Sequence, residues 1–171
     1  MADWILEERR GAASIITLNR PESLNAFPLP MVRDLRRAVL GAVNDPAVVG
    51  IVITGAGRGF CAGLDMTSLT EVSAAGSSAR EDGSQTEGSG AEPDLPGLFS
   101  FLVEQPKPVI AAVNGVAAGG GFVLATKCDL RFASSEASFI TIFSKRGLIA
   151  EHGMTWILPK LIGTGAALDL L

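Results

Sequence analysis

The sequence predicts an α/β protein in which strand, glycine-rich turn and helix recur along the chain. Three observations carry that expectation. Residues 48–54 and 109–113 are apolar runs bounded by turn residues, the pattern of strands covered on both faces. Each run is followed by a glycine-rich turn, FCAGLD at 60–65 and NGVAAGGGF at 114–122. Ahead of both, Leu35, Val39 and Val43 repeat at the spacing of one helix face.

Taken in order, residues 4–8 and 13–18 read as paired strands, and RPESLNAF at 20–27 turns the chain into a helix over 29–43. A strand at 48–54 follows. The plan returns with a strand at 109–113, a short helix at 120–127 and a strand at 129–133, at a spacing too irregular for a sequence repeat. A helix is expected over 152–161, with Trp156, Leu158 and Leu161 in the core. The last stretch, 164–171, begins a further helix with Thr164 as its cap. Between 72 and 96 the chain turns to Ser, Gly, Ala and acidic residues with almost nothing large and apolar, too little to order itself by burial. That segment is expected to be a mobile excursion within a single domain spanning 1–171; a linker between two domains is the alternative.

Composition narrows the function classes. The 171 residues are 47% hydrophobic and 19% charged, ordinary for a globular domain. Fourteen basic against eighteen acidic residues give a net charge of -4, with no basic run to neutralise phosphates, so nucleic acid is not expected as a partner. The most apolar stretch, 109–125, is broken by Asn114, Gly115 and the triplet Gly119, Gly120 and Gly121, which suits a strand and helix better than a membrane span. The start lacks the basic and apolar regions of a secretory signal, and a cytoplasmic location is expected. Cys61 and Cys128 have no metal-ligand spacing, so neither a disulfide nor a metal site is expected.

The two glycine turns carry the chemistry. Where a reaction builds negative charge on a carbonyl oxygen, backbone N–H groups aimed at it stabilise that charge, and glycine lets main chain approach closely. A pair of such turns points to an oxyanion hole. Each turn alone reads equally well as a tight connection.

These segments resemble the crotonase superfamily, the enoyl-CoA hydratase and isomerase family, across essentially the whole chain. The resemblance rests on ITLNRPESLNAF at 16–27, VITGAGRGFCAGLDM at 52–66, PKPVIAAVNGVAAGGGFVLATKCDLRFAS at 106–134 and ASFITIFSKRGLIAEHGMTWILPKLIG at 137–163. It implies a crotonase-like ββα spiral whose C-terminal helical trimerisation region is largely absent, with about a third of a usual member lying beyond Leu171. It implies an acyl-CoA thioester as substrate, with coenzyme A as part of the substrate and no permanently bound cofactor. A homotrimer or hexamer is implied for a full-length member.

By the same resemblance the oxyanion donors are the backbone N–H groups of Leu64 and Gly120. Gly120 opens a helix, so physics places an unpaired N–H and the positive end of the helix dipole there. Ser23, Leu24 and Ala26 match the turn that lines one side of the coenzyme A site, and Ala62, Asp65 and Met66 match the other wall. Glu22 stands where the family has a basic residue that faces the phosphates.

The two glutamates of the family's hydratases are missing, with Val123 and Phe143 in their places. Glu151, four residues after Gly147, resembles the single catalytic glutamate of 3-enoyl-CoA to 2-enoyl-CoA isomerases, with an apolar wall from Val123 and Phe143 beside it. One carboxylate suffices for isomerisation, because it carries the proton from C2 to C4 while the hole holds the charge. Glu151 also reads as an acid that only stabilises a helix N-terminus. His152, the one histidine, reads as structural, and Asp129 and Glu136 read as surface or capping residues. Hydration of 2-enoyl thioesters, thioester hydrolysis and non-catalytic acyl-CoA binding stay open as alternatives.

Overall fold

The computed structural model describes residues 3–65 and 98–171. Met66 and the stretch 72–96 lie outside the described residues. Two sheets share the described chain. Strands β1 (Ile5–Arg10), β2 (Ala13–Leu18), β3 (Gly50–Gly55), β5 (Val109–Val113) and β7 (Leu130–Ala133) form one sheet in that order, and β4 (Gly59–Cys61), β6 (Val116–Ala118) and β8 (Ser138–Ile140) form the other. Only β1 and β2 are antiparallel. Every other pairing is parallel, and each strand of the large sheet from β3 onward hands the chain to the next strand of the small one. Helices α2 (Gly120–Lys127) and α3 (Met154–Ile162) then follow β6 and β8, so the expected ββα spiral is the observed plan.

The amphipathic pattern explains why α1 (Leu29–Asn44) forms and where it packs. Met31, Leu35, Ala38, Val39 and Ala42 are its buried stripe. They meet a core in which Ile16, Leu18, Ile51, Ile53, Val109, Ala111 and Val113 alternate along β2, β3 and β5. Burying one such Leu or Ile contributes about 1.5–3 kcal/mol relative to leaving it in water. The small sheet was not legible in the sequence, because its three-residue strands carry no periodicity of their own.

Several expectations shift in detail. Trp156 is 63% exposed and Leu161 44% exposed, so neither is core; Leu158 alone of the three is buried. Trp156 instead offers its ring to the Lys160 ammonium, 3.5 Å from the centroid. Helix α4 (Thr164–Leu170) is capped at Gly163, with Thr164 already its first residue and no side-chain cap. Strand β7 leaves Leu130 and Phe132 exposed. Among the described residues no helix is long and apolar enough to cross a membrane.

Candidate active site

The triplet at 119–121 is built by close approach. Gly119, at φ +51°, donates its N–H to Ile140 on β8, and its carbonyl accepts the Val123 N–H as the first bond of α2. The Gly120 N–H shares a trans peptide with that carbonyl and therefore points the other way, out of the helix start. A Cβ at Gly120 would fall 2.6 Å from the Phe27 ring, and one at Gly121 would fall 1.9 Å from the Cys61 carbonyl oxygen. At Gly121 the main chain packed against it requires glycine, and at Gly120 a Cβ would have to push the buried Phe27 ring aside.

The other turn is fixed by Phe27. Its N–H donates to the Gly63 carbonyl at 2.8 Å and its carbonyl accepts the Asp65 N–H at 2.9 Å, a one-residue parallel bridge to Leu64. Because the Gly63 carbonyl points at Phe27, the Leu64 N–H of the same peptide points away from it. Gly63 itself lies against the triplet, at φ +99°. A Cβ there would sit 3.2 Å from the Gly120 nitrogen and 2.8 Å from the Ala118 carbonyl oxygen. The peptides that carry the two predicted donors are therefore neighbours.

The RPESLNAF segment anchors this arrangement. Asn25, fully buried at φ +58°, accepts the Arg20 N–H and donates to the carbonyls of Ala56 and Gly59. Arg20 donates to the Asp65 carboxylate at 2.8 Å and to the Ala26 carbonyl, with both partners of the ion pair about four-fifths buried. One guanidinium so ties the two walls together.

A cavity of about 680 Å³ opens between these turns and the start of α3. Leu64, Gly120 and Glu151 all line it, as do Ser23, Ala26, Ala62 and Asp65. Leu24 lies behind the wall. Its left-handed backbone, at φ 52°, sets its side chain against Gly59 while its carbonyl accepts the Ala62 N–H. Phe143 faces the cavity, whereas Val123 is fully buried in the core and is no part of the wall beside Glu151. Glu151 is in a turn ahead of α3, whose N-cap is Gly153, so no acid occupies the first turn of that helix.

Sequence reasoning missed several lining residues, chiefly Leu98, Ile142, Leu148, Arg146 and His152. Ile142 takes a left-handed backbone at φ 64°, a strained state for a β-branched residue, and thereby enters the wall. His152 was read as structural, yet it stands beside Glu151 in the cavity. Its adjacency to Glu151 in the sequence was the available signal. The imidazole Nδ1 accepts the Leu98 N–H at 3.2 Å, and burial, opposed in part by Glu151 and reinforced by Lys127, holds its pKa below the usual range. Burial pushes the Cys61 and Cys128 thiols up to about 12, which leaves both un-ionised and unreactive at neutral pH. Asp129 accepts the Val109 N–H at 2.8 Å and pins β5, while Glu136 is exposed. Among the described residues no cluster of His, Cys, Asp or Glu could hold a metal ion.

The family model for enoyl-CoA hydratase/isomerase matches residues 8–171. The 1,2-epoxyphenylacetyl-CoA isomerase of Escherichia coli is 39% identical, over 99% of this chain and 62% of its own. The crotonyl-CoA hydratase of Syntrophomonas wolfei is 36% identical, over 98% and 60% respectively. Among solved structures, an enoyl-CoA hydratase subunit from Geobacillus kaustophilus superposes with a TM-score of 0.78 at 36% identity, covering 98% of this chain and 60% of its own. The chain thus spans about 60% of the length of the relatives it matches.

Proposed function

This chain belongs to the enoyl-CoA hydratase/isomerase family, and from that premise we propose that it moves a double bond, converting a 3-enoyl-CoA thioester into its 2-enoyl isomer. The observation that carries the reading is the meeting of Leu64, Gly120 and Glu151 on one cavity, with Gly63 packed against Gly120. In this reading the thioester oxygen accepts hydrogen bonds from the Leu64 and Gly120 N–H groups. The Glu151 carboxylate takes a proton from C2, and the electron pair passes into the carbonyl to give a dienolate. The same carboxyl returns the proton to C4, the charge leaves the oxygen, and the new double bond stands between C2 and C3.

Each donor of this kind contributes about 3 kcal/mol to a transition state in other enzymes, and an acid–base group of this kind about 10²–10⁴ in rate. A second carboxylate is unnecessary for a proton that leaves and returns on the same molecule. The apolar residues Val123 and Phe143 at the positions of the hydratase glutamates support that economy. Coenzyme A enters only as part of the substrate, held between the 23–26 turn and the 62–65 turn, and no permanent cofactor is required.

A homotrimer or hexamer belongs to the same proposal for the whole protein, supported by large apolar side chains left exposed at Phe132 and Leu168. The two free, buried cysteines support a cytoplasmic location. The test is turnover of 3-hexenoyl-CoA followed by absorbance of the 2-enoyl thioester, with crotonyl-CoA hydration and release of free coenzyme A assayed beside it. Isomerisation as the fastest of the three is expected. Faster hydration or hydrolysis replaces the reading.

A further inference from the structure

His152 stands in the cavity wall next to Glu151, and its ring has only one nitrogen left to use there. Nδ1 accepts the Leu98 backbone N–H, so Nδ1 carries no proton. In the neutral ring the proton then sits on Nε2. No described side-chain nitrogen or oxygen is both sealed from solvent and unpaired, and Nε2 has no hydrogen-bond partner among the described residues, so its N–H remains accessible. An imidazole fixed in this tautomer donates through Nε2 and cannot accept there, which excludes it as a general base at that atom.

The neutral form is held by more than one feature. Protonation of Nδ1 would set a second N–H against that of Leu98 and break the bond that seats the ring. Burial and the Lys127 ammonium both disfavour the charged ring, against the opposing pull of Glu151.

The wall that His152 shares is mostly apolar, with Leu98, Ile142, Phe143 and Leu148, and it also carries Arg146 and Glu151. An N–H donor in a mostly apolar wall discriminates in favour of a ligand that brings an acceptor to it, because an acyl chain without one strips water from the N–H and returns nothing. Resting on the acyl-CoA reading above, we propose that His152 is a specificity-determining residue whose Nε2–H hydrogen-bonds an oxygen substituent on the acyl chain, so that oxygenated acyl-CoA thioesters are preferred over plain ones.

The test is equilibrium binding of saturated thioesters, which undergo no isomerisation. Hexanoyl-CoA is compared by calorimetry with its 3-, 4- and 5-hydroxy derivatives, using the full chain and the variants His152→Phe and His152→Asn. Asn tolerates the left-handed backbone, so that variant keeps the test open should the Phe variant fail to fold. At least one hydroxy isomer is expected to bind wild type ~3–10-fold tighter than hexanoyl-CoA, the net worth of one neutral hydrogen bond. That ratio is expected to fall to about one in the variants. Hexanoyl-CoA binding as tightly as every hydroxy isomer to wild type, or a preference that survives both substitutions, overturns the inference alone. Failure of every thioester to bind overturns the acyl-CoA reading and the inference with it.

Discussion

Gly63 packs directly on Gly120: a methyl group added to Gly63 would come 3.2 Å from the Gly120 nitrogen and 2.8 Å from the Ala118 carbonyl oxygen. The contact joins the peptide that presents the Leu64 N–H to the peptide that presents the Gly120 N–H, so the spacing of the two donors is a packing distance. Gly63→Ala must therefore move one turn away from the other, and at φ +99° it also forces an L side chain into a conformation it avoids. The expected outcome is a loss of about 10²–10³ in kcat, the worth of one misaligned donor. Kinetics with 3-hexenoyl-CoA check it, with thermal melting run alongside to separate misalignment from unfolding.

Arg20 ties the two walls of the cavity by its bonds to Asp65 and Ala26. Removing it in Arg20→Ala leaves a largely buried carboxylate without that partner and frees the 20–26 turn from the 62–65 turn. Destabilisation of about 1.5–3 kcal/mol is expected, the scale of hydrogen bonds to charged groups. Because those turns are proposed to hold coenzyme A, KM for the thioester should rise more than kcat falls. Chemical denaturation and steady-state kinetics on one preparation test both parts, and an unchanged KM contradicts the positioning role.

His152 links stability to pH. Its folded pKa lies below the ordinary histidine value, so the unfolded chain binds the proton more readily than the folded one. Its contribution is complete above about pH 6.5 and is lost as the pH falls from there through the folded pKa. Wild type should thus lose more stability than His152→Asn between pH 7.5 and pH 5. Melting temperatures of both proteins across that range check the sign; parallel curves count against a neutral, seated imidazole. Lys127→Met removes a positive charge that disfavours the charged ring and should raise the imidazole pKa, seen as a shifted titration of its ring proton by NMR.

The strands of the large sheet and α1 were legible in the sequence because their apolar runs and spacings are long enough to see, whereas α2, buried all round, was expected only from the glycine triplet that opens it. Ile16 and Leu18 on β2, and Leu35 and Val39 on α1, declare their buried faces by spacing alone. The small sheet was not legible, since β4, β6 and β8 exist by pairing with each other rather than by any local pattern. Trp156 and Leu161 misled for a related reason: their spacing marks an apolar helix face but not what covers it.

At the site, the glycine turns could be found by composition, whereas their contact through Gly63 could not. Glu151 was singled out by resemblance, through its offset from Gly147, and it lines the cavity. His152 was missed although it adjoins Glu151 in the sequence, because it is the left-handed turn there that brings its side chain into the same wall as its neighbour. Leu24 is not among the lining residues, its left-handed backbone setting its side chain against Gly59.

The central claim is that one carboxylate, Glu151, moves the proton while the Leu64 and Gly120 N–H groups hold the charge. Single-turnover isomerisation of 3-hexenoyl-CoA by wild type and by Glu151→Gln tests it most directly, because Gln keeps the shape of the side chain and removes the base. A loss of about 10²-fold or more in the chemical step is expected for Glu151→Gln, with thioester binding retained. Equal rates for the two proteins would contradict it.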